Sequence, residues 1–473
     1  MTARIAGSSR TPSDLTRRTA LALLGAGAAG AVAAPAWGVD GRRPATMSSP
    51  RLTPWDRQVL AKVDVGNALD HLHHLTERIG QRYSGTPAEG RAARYLAGVL
   101  DDYGYDVETP SFAVPDRYLG EIRSPALDDT LCWGVGAASA GAMDAQVSGP
   151  LLVAPSADPR DLPADLGGAV VLRAIDVADE SLTTFAQVAQ ERGAGALIWT
   201  RIDGIAPRQS STFVPALVAG ATPVTIPVVG VGQVQKHALL ASAAAGPVTL
   251  DVTTTHHRSL TSSNVIGTRR GTGMPGRVRP KVMVCAHYDS VIGAKGANDD
   301  GSGTVLTLEL ARALRRVPVE ADLQFALWGS EEVGLVGSRN YVASLDDDAR
   351  AGIRGVFNND MVGTSWDPAE RYWVLSYDGQ PNVVNAEVLA AGRRLGYDAR
   401  MSDVTQRGSS DHQSFQEVGV PSGNFTWRAA ESPALLEPPY HSSDDTIARN
   451  ISPERLAVSI EIIGCATFAL ARG

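Results

Sequence analysis

His287 closes an apolar run, Val282-Met283-Val284-Cys285-Ala286, with Asp289 two residues on and Asp299 twelve residues after the histidine. A run of this kind reads as a buried strand, and side chains alternate along a strand, so His287 and Asp289 share a face. Asp289 can then accept a hydrogen bond from the imidazole and fix its tautomer, as carboxylates do behind metal-ligating histidines. Alone, His-x-Asp is more often a core histidine beside a polar turn. Three further segments change that balance. Phe325-Ala326-Leu327-Trp328-Gly329 is a second apolar run and leads into Ser330-Glu331-Glu332. Paired carboxylates at a strand end can divide metal binding from general-base work. Val356-Phe357-Asn358-Asn359 carries Asp360 at the end of a third run, and Pro439-Tyr440-His441-Ser442-Ser443-Asp444-Asp445 supplies a second histidine. Two imidazoles, three carboxylates and no thiolate form a donor set suited to zinc.

These side chains need a scaffold that brings distant segments together. Strands are expected at 263–268, 281–287, 322–329, 354–360 and 372–377, alternating with helices at 303–316, 334–345 and 382–396. Such alternation predicts an α/β sandwich with a mostly parallel sheet, whose ligands gather at the carboxyl ends of the strands. Ser452-Pro453-Glu454 is a helix start, with Leu456, Ile460, Ile463 and Phe468 placed to dock on the sheet. Upstream, a helix over 67–75 contains His71, His73 and His74. They read as surface or packing residues, since no carboxylate stands at His-Glu-x-x-His spacing. A second helix is expected over 89–103, then a strand over 104–108. Gly271 to Gly276 reads as a hairpin loop, because no Lys-Ser/Thr follows to cradle a phosphate.

In this order and spacing, five segments resemble the secreted zinc aminopeptidases of metallopeptidase family 28. They are His287-Tyr288-Asp289-Ser290, Asn298-Asp299-Asp300-Gly301-Ser302-Gly303, Trp328-Gly329-Ser330-Glu331-Glu332-Val333-Gly334, Asn359-Asp360-Met361 and Tyr440-His441-Ser442-Ser443. The resemblance spans roughly residues 60 to 470 with one insertion. It implies the three-layer sandwich of the zinc-dependent exopeptidases and two zinc ions per chain. Asp299 would bridge the metals, His287 and Asp360 would complete one site, and Glu332 and His441 the other. Glu331 would be the general base, Tyr440 would stabilise the oxyanion, and Asp289 would support His287. A cis Asp299–Asp300 peptide is also implied, and Ser410-Asp411-His412 is expected as a pocket wall. Some relatives flank the Tyr-His pair with a disulfide. Pro439 and Asp444 stand there in this chain, so another device must hold the loop.

The reaction implied is hydrolysis of N-terminal, apolar residues from peptides. Phe415, Val418, Val420, Phe425 and Trp427 are the candidate apolar wall, and Arg407 and Arg428 are the cations in that region that a carboxypeptidase would need. Glutaminyl cyclase and a non-catalytic, receptor-like homologue are the other readings of the same fold. Between 124 and 252 the peptidase pattern is interrupted by Ala169-Val170-Val171-Leu172, Ala196-Leu197-Ile198-Trp199 and Ile226-Pro227-Val228-Val229. This stretch resembles a small β-rich protease-associated (PA) domain, leaving peptidase parts at 53–123 and 253–473. Net charge −8 argues against nucleic acid as a partner. Three scattered cysteines, Cys132, Cys285 and Cys465, exclude a disulfide framework. Thr16-Arg17-Arg18 before an Ala/Gly-rich stretch, with Ala34-Pro35-Ala36 for cleavage, reads as a twin-arginine signal over 1–36. That stretch is too short and polar for a stable membrane anchor, and a linker over 37–52 follows. Replacing Arg17 and Arg18 together by lysine is expected to leave precursor in the cytoplasm, as read by cell fractionation.

Overall fold

The computed structural model describes residues 45, 46, 48–124, 133–175, 182–201, 212–218, 222–273 and 279–472. The expected signal segment, 1–36, and Cys132 lie outside the described residues. Along the chain run β1 (Asp106–Glu108), β2 (Ser111–Ala113), β3 (Arg117–Arg123), β4 (Trp133–Ala137), β5 (Ala145–Val153), β6 (Val170–Ile175), β7 (Ala196–Arg201), β8 (Val228–Val231), β9 (Thr249–His257), β10 (Thr261–Ser263), β11 (Val265–Arg269), β12 (Lys281–His287), β13 (Asp322–Trp328), β14 (Ile353–Asn359), β15 (Arg371–Ser376), β16 (Met401–Gln406) and β17 (Ser422–Arg428).

Eight of these form one mixed sheet in the order β1-β11-β13-β12-β14-β17-β15-β16. Its middle strands, β13, β12, β14 and β17, are mutually parallel. A parallel strand is covered on both faces and so reads as a continuous apolar run. In β12, Val282, Val284 and Ala286 enter a core shared with helices Gly303–Leu314 and Pro453–Ala471. Met283 and Cys285 point the other way, into a smaller cluster with Trp328, Val342 and Phe415. The last helix starts where expected, its Ser452 hydroxyl accepting from the Arg455 amide, and Leu456, Ile460, Ile463 and Phe468 are buried. Register then sets the site: His287 lies opposite Trp328, and Cys285 opposite Asn358. The chain therefore leaves β12, β13 and β14 at one level.

Three expectations need correction. The segment from Gly271 is not a hairpin loop, because β13 lies between β11 and β12 in the sheet. Residues 274–276 of it lie outside the described residues, and the Gly271 amide donates to the Asp322 carboxylate. Two sheet strands, β16 and β17, were not expected. Ser422, Asn424 and Thr426 give β17 a polar rhythm that hides its complete burial. Nor do the candidate apolar residues form one wall. Phe425 and Trp427 lie in the larger core, Phe415 and Val420 in the cluster on the opposite face, and Val418 is exposed.

The inserted region forms a closed seven-stranded barrel, β3-β4-β8-β7-β6-β5-β9. It begins at Arg117 and ends at His257, since the whole of β3 pairs with residues 251–257 of β9. Its start and end thus lie outside the 124–252 range read from the sequence. Beside it, β2 and β10 pair antiparallel, so the chain enters and leaves the barrel on adjacent strands. No helix among the described residues is long and apolar enough to cross a membrane. Phe325 is fully buried and meets Tyr105 edge to face. Phe325→Ala is expected to cost about 3–5 kcal/mol, measured by denaturant unfolding.

Candidate active site

His287 ends β12 at 1% exposure, its Nδ1 3.4 Å from Asp289 Oδ1. Behind the ring, Asp289 accepts from the backbone amides of Glu331 (2.9 Å) and Glu332 (3.2 Å). One carboxylate thus orients the histidine and pins the turn after β13. That turn requires an unusual backbone: Ser330 has φ 57°. Met361, directly after Asp360, has φ 64°, and His441 itself φ 55°. Residues with a side chain avoid this region unless their surroundings enforce it, and such positions concentrate at functional sites.

Asp299 sits in the loop before helix Gly303–Leu314, and the Asp299–Asp300 peptide is cis, as the resemblance implied. Two buried carboxylates hold this loop. Asp300 accepts from the amides of Gly303 (2.9 Å), Met361 (3.2 Å) and His287 (3.3 Å), linking three segments of the site. Asp445 accepts from the amides of Asn298 (2.9 Å) and Asp299 (3.0 Å). Gly303 permits the close approach: a Cβ there would lie 1.8 Å from the Asn359 carbonyl oxygen. Arg82, wholly buried, donates to the carbonyls of Gly80, Tyr288, Lys295 and Gly296, and so fixes the stretch between His287 and Asp299.

The expected residues converge. Asp299 Oδ1 is 3.3 Å from His287 Nε2, and its Oδ2 is 3.1 Å from His441 Nε2. His441 Nε2 is also 3.1 Å from Glu332 Oε2. Glu331 Oε2 lies 3.9 Å from His287 Nε2. The Tyr440 ring stacks on His441 at 3.7 Å between centroids. Ligand atoms of His287, Asp299 and Glu332 lie within 4.8 Å of one another, as do those of His287, Glu331 and Asp360. Glu332 Oε1 and Asp360 Oδ1 are buried with no hydrogen-bond partner. Buried carboxylate oxygens left over in this way, converging with two imidazoles, fit a zinc ion.

Electrostatics follow from burial and crowding. Burial, then Asp411, Glu332 and Asp360, push the Glu331 carboxyl well above the usual carboxylate range, against the pull of His287. Burial pushes Glu332 up to about 7. Although burial disfavours the charged rings, neighbouring carboxylates raise His287 well above its ordinary value and His441 to about 10. Asp299 moves down: burial opposes this, but hydrogen bonds from His287 and His441 prevail.

Sequence reasoning missed Arg82, Asp300 and Asp445 as supports. Asp300 and Asp445 adjoin recognised motifs, whereas Arg82 has no sequence signal. Asp411 is fully buried, and both its oxygens lack a partner; burial raises it to about 7. Without flanking cysteines, the Tyr440 loop is held by the Ser442 hydroxyl on the Pro439 carbonyl (2.8 Å), an Arg449–Asp444 ion pair (2.8 Å) and the Asp445 clamp. Cys285 and Cys465 are buried and free. The three helix histidines bind no carboxylate cluster: His71 lies between the hydroxyls of Tyr95 and Tyr103, His74 stacks on Tyr95 and His73 is exposed. Asp289→Asn is expected to weaken zinc binding about 10–100-fold while the fold persists, checked by metal titration and circular dichroism.

Comparison with known proteins agrees with this geometry. The family model described as Peptidase family M28 matches residues 264–466. Aminopeptidase YwaD of Bacillus subtilis (strain 168) is 34% identical over 407 residues, covering 85% of this chain and 84% of the relative. Probable lipoprotein aminopeptidase LpqL of Mycobacterium tuberculosis is 32% identical over 425 residues, covering 81% and 78%. Among solved structures, BSAP, a zinc aminopeptidase from Bacillus subtilis, matches with a TM-score of 0.62 at 32% identity, over 87% of this chain and 96% of that one. The identity runs well beyond the catalytic motifs and across most of both chains: this protein belongs to peptidase family M28.

Proposed function

We propose that this protein is a zinc-dependent aminopeptidase that binds two zinc ions and removes N-terminal residues from peptides. The observation that carries the reading is the meeting of His287, Asp299, Glu332, Asp360 and His441 at the carboxyl ends of β12, β13 and β14, with Glu331 beside them. Its relatives' names and the donor set support zinc. In this reading Asp299 would be shared between the ions, His287 and Asp360 would hold one, and Glu332 and His441 would hold the other. When bound, zinc polarises a carbonyl and lowers the pKa of water to about 7.

The remaining work belongs to the chain. Glu331 takes a proton from the attacking water. The same carboxyl then delivers that proton to the leaving amine. Tyr440 keeps its phenol protonated, because burial and Asp299 push its pKa well up, and it donates to the developing oxyanion. Glu331, Glu332 and Asp360 make the site a favourable place for a protonated α-amine. The barrel of residues 117–257 is read as a PA domain set into a three-layer peptidase fold. Residues 1–36 are read as a twin-arginine signal for export, and the enzyme as extracytoplasmic.

Metal analysis is expected to give two zinc ions per chain at saturation; one ion would overturn the shared role of Asp299. Glu331→Gln is expected to keep the metal and slow turnover about 10²–10⁴-fold, whereas Asp299→Ala is expected to lose metal. N-acetylation of a good peptide substrate is expected to abolish cleavage, and C-terminal amidation to change it little. The reverse pattern would place a substrate carboxylate on buried Arg428, whose Nε lacks a partner, and would sink the aminopeptidase reading.

A further inference from the structure

Ser330, the residue before the general base, is fully buried and held by its side chain as well as its backbone. Its hydroxyl is 2.9 Å from Glu89 Oε1 and 2.7 Å from the Ser84 hydroxyl. Glu89, 1% exposed in the first turn of helix Pro87–Asp102, also accepts from the Ser262 hydroxyl (2.8 Å) and the Gly85 amide (2.6 Å). Ser84 receives Arg117 Nη2 at 2.9 Å. Arg117 opens β3 of the barrel at 7% exposure, with its guanidinium over the Tyr83 ring.

The direction of this chain is fixed by chemistry. Arginine can only donate, and the Glu89 carboxyl oxygens accept from the Gly85 amide and from the Ser262 and Ser330 hydroxyls. Ser84 therefore accepts from Arg117 and donates to Ser330, and Ser330 donates to Glu89. Four buried side chains form one polarised sequence, in which each bond strengthens the next. Its third member carries the left-handed backbone that aims the amides of Glu331 and Glu332 at Asp289.

We propose that Arg117 and Glu89 are positioning residues for the reaction, and that through them the inserted barrel sets the aim of the Glu331 carboxylate. The relay fixes the Ser330 rotamer, the rotamer fixes the turn, and the turn holds Glu331 Oε2 toward His287. Neither residue touches substrate or metal. The inference rests on Glu331 being the general base.

The test uses full-length enzyme with zinc content measured for each variant. Arg117→Met is expected to lower kcat about 10–100-fold, the scale of a small misplacement of a catalytic group, with KM and bound zinc unchanged. Arg117→Lys, which restores one donor, is expected to recover part of the loss. Ser330→Ala is expected to cost a similar factor, and the double variant no more than either single one, because both break the same relay. Ser84→Ala breaks it without touching the barrel and carries the same comparison should Arg117→Met fold poorly. A structural role alone would lower thermal stability and the active fraction, leave kcat per zinc-loaded chain unchanged, and give additive losses; that result overturns the proposal. In a Glu331→Gln background Arg117→Met is expected to have no further effect on kcat. A full extra loss there overturns the relay and leaves the base assignment standing. Near-wild-type turnover of Glu331→Gln alone overturns the base instead.

Discussion

Negative charge packed out of water is the constraint on which this structure depends. Asp289, Asp299, Asp300, Glu331, Asp360 and Asp411 are all buried around His287. An isolated buried carboxylate is costly unless it is paired, hydrogen-bonded or neutralised. The fold meets that requirement in two different ways. Asp289, Asp300 and Asp445 spend their oxygens on backbone amides from separate segments, so each doubles as a tether. Glu332 and Asp360 each keep an oxygen without a partner. The first group shapes the pocket, and the second is left available for a cation.

Positive charge is placed with equal economy. Arg82 sits wholly buried, lowered to about 10 by burial even though Asp289 and Asp445 oppose the shift. Its guanidinium donates to carbonyls rather than carboxylates, so it offsets the acids at a distance while leaving them unclaimed. Direct pairing of Arg82 with Asp299 would have competed with metal. The left-handed residues Ser330, Met361 and His441 belong to the same design. Next to Ser330 the amides of Glu331 and Glu332 are captured by Asp289, and at Met361 its own amide and that of Asp360 are captured by Asp300 and Asn424, which keeps the unfavourable backbone in place.

The catalytic strands were legible because they are buried on both faces and end in acids or histidine: β12 was read at the bounds it has, and β13, β14 and β15 within a residue or so. β17 was illegible for the opposite reason. Its Asn424 accepts from Asn358 and from the Asp360 amide, so a polar residue in a central strand serves the site and breaks the apolar pattern. The convergence of His287, Asp299, Glu331, Glu332, Asp360, Tyr440 and His441 could be anticipated from motif order, but the supports could not. Arg82 and Glu89 lie some 200 residues from the loops they brace, as the separations of 206 and 241 residues show. Nothing in local periodicity reports on such pairs. The aromatic residues after β16 misled because apolar side chains near a site are usually core, and here they divide between two faces of the sheet.

The barrel is joined to the rest of the chain by a stem of two adjacent antiparallel strands, β2 and β10, that continues into the paired β3 and β9. Entry and exit therefore coincide in space. A module attached in this way can be lost, gained or exchanged over evolutionary time by a local change at the stem, since closing the stem with a short turn leaves the order of the eight-stranded sheet intact. Two hydrogen-bonded backbones also resist torsion better than one, so the module is carried as a stiff bracket rather than a pendant.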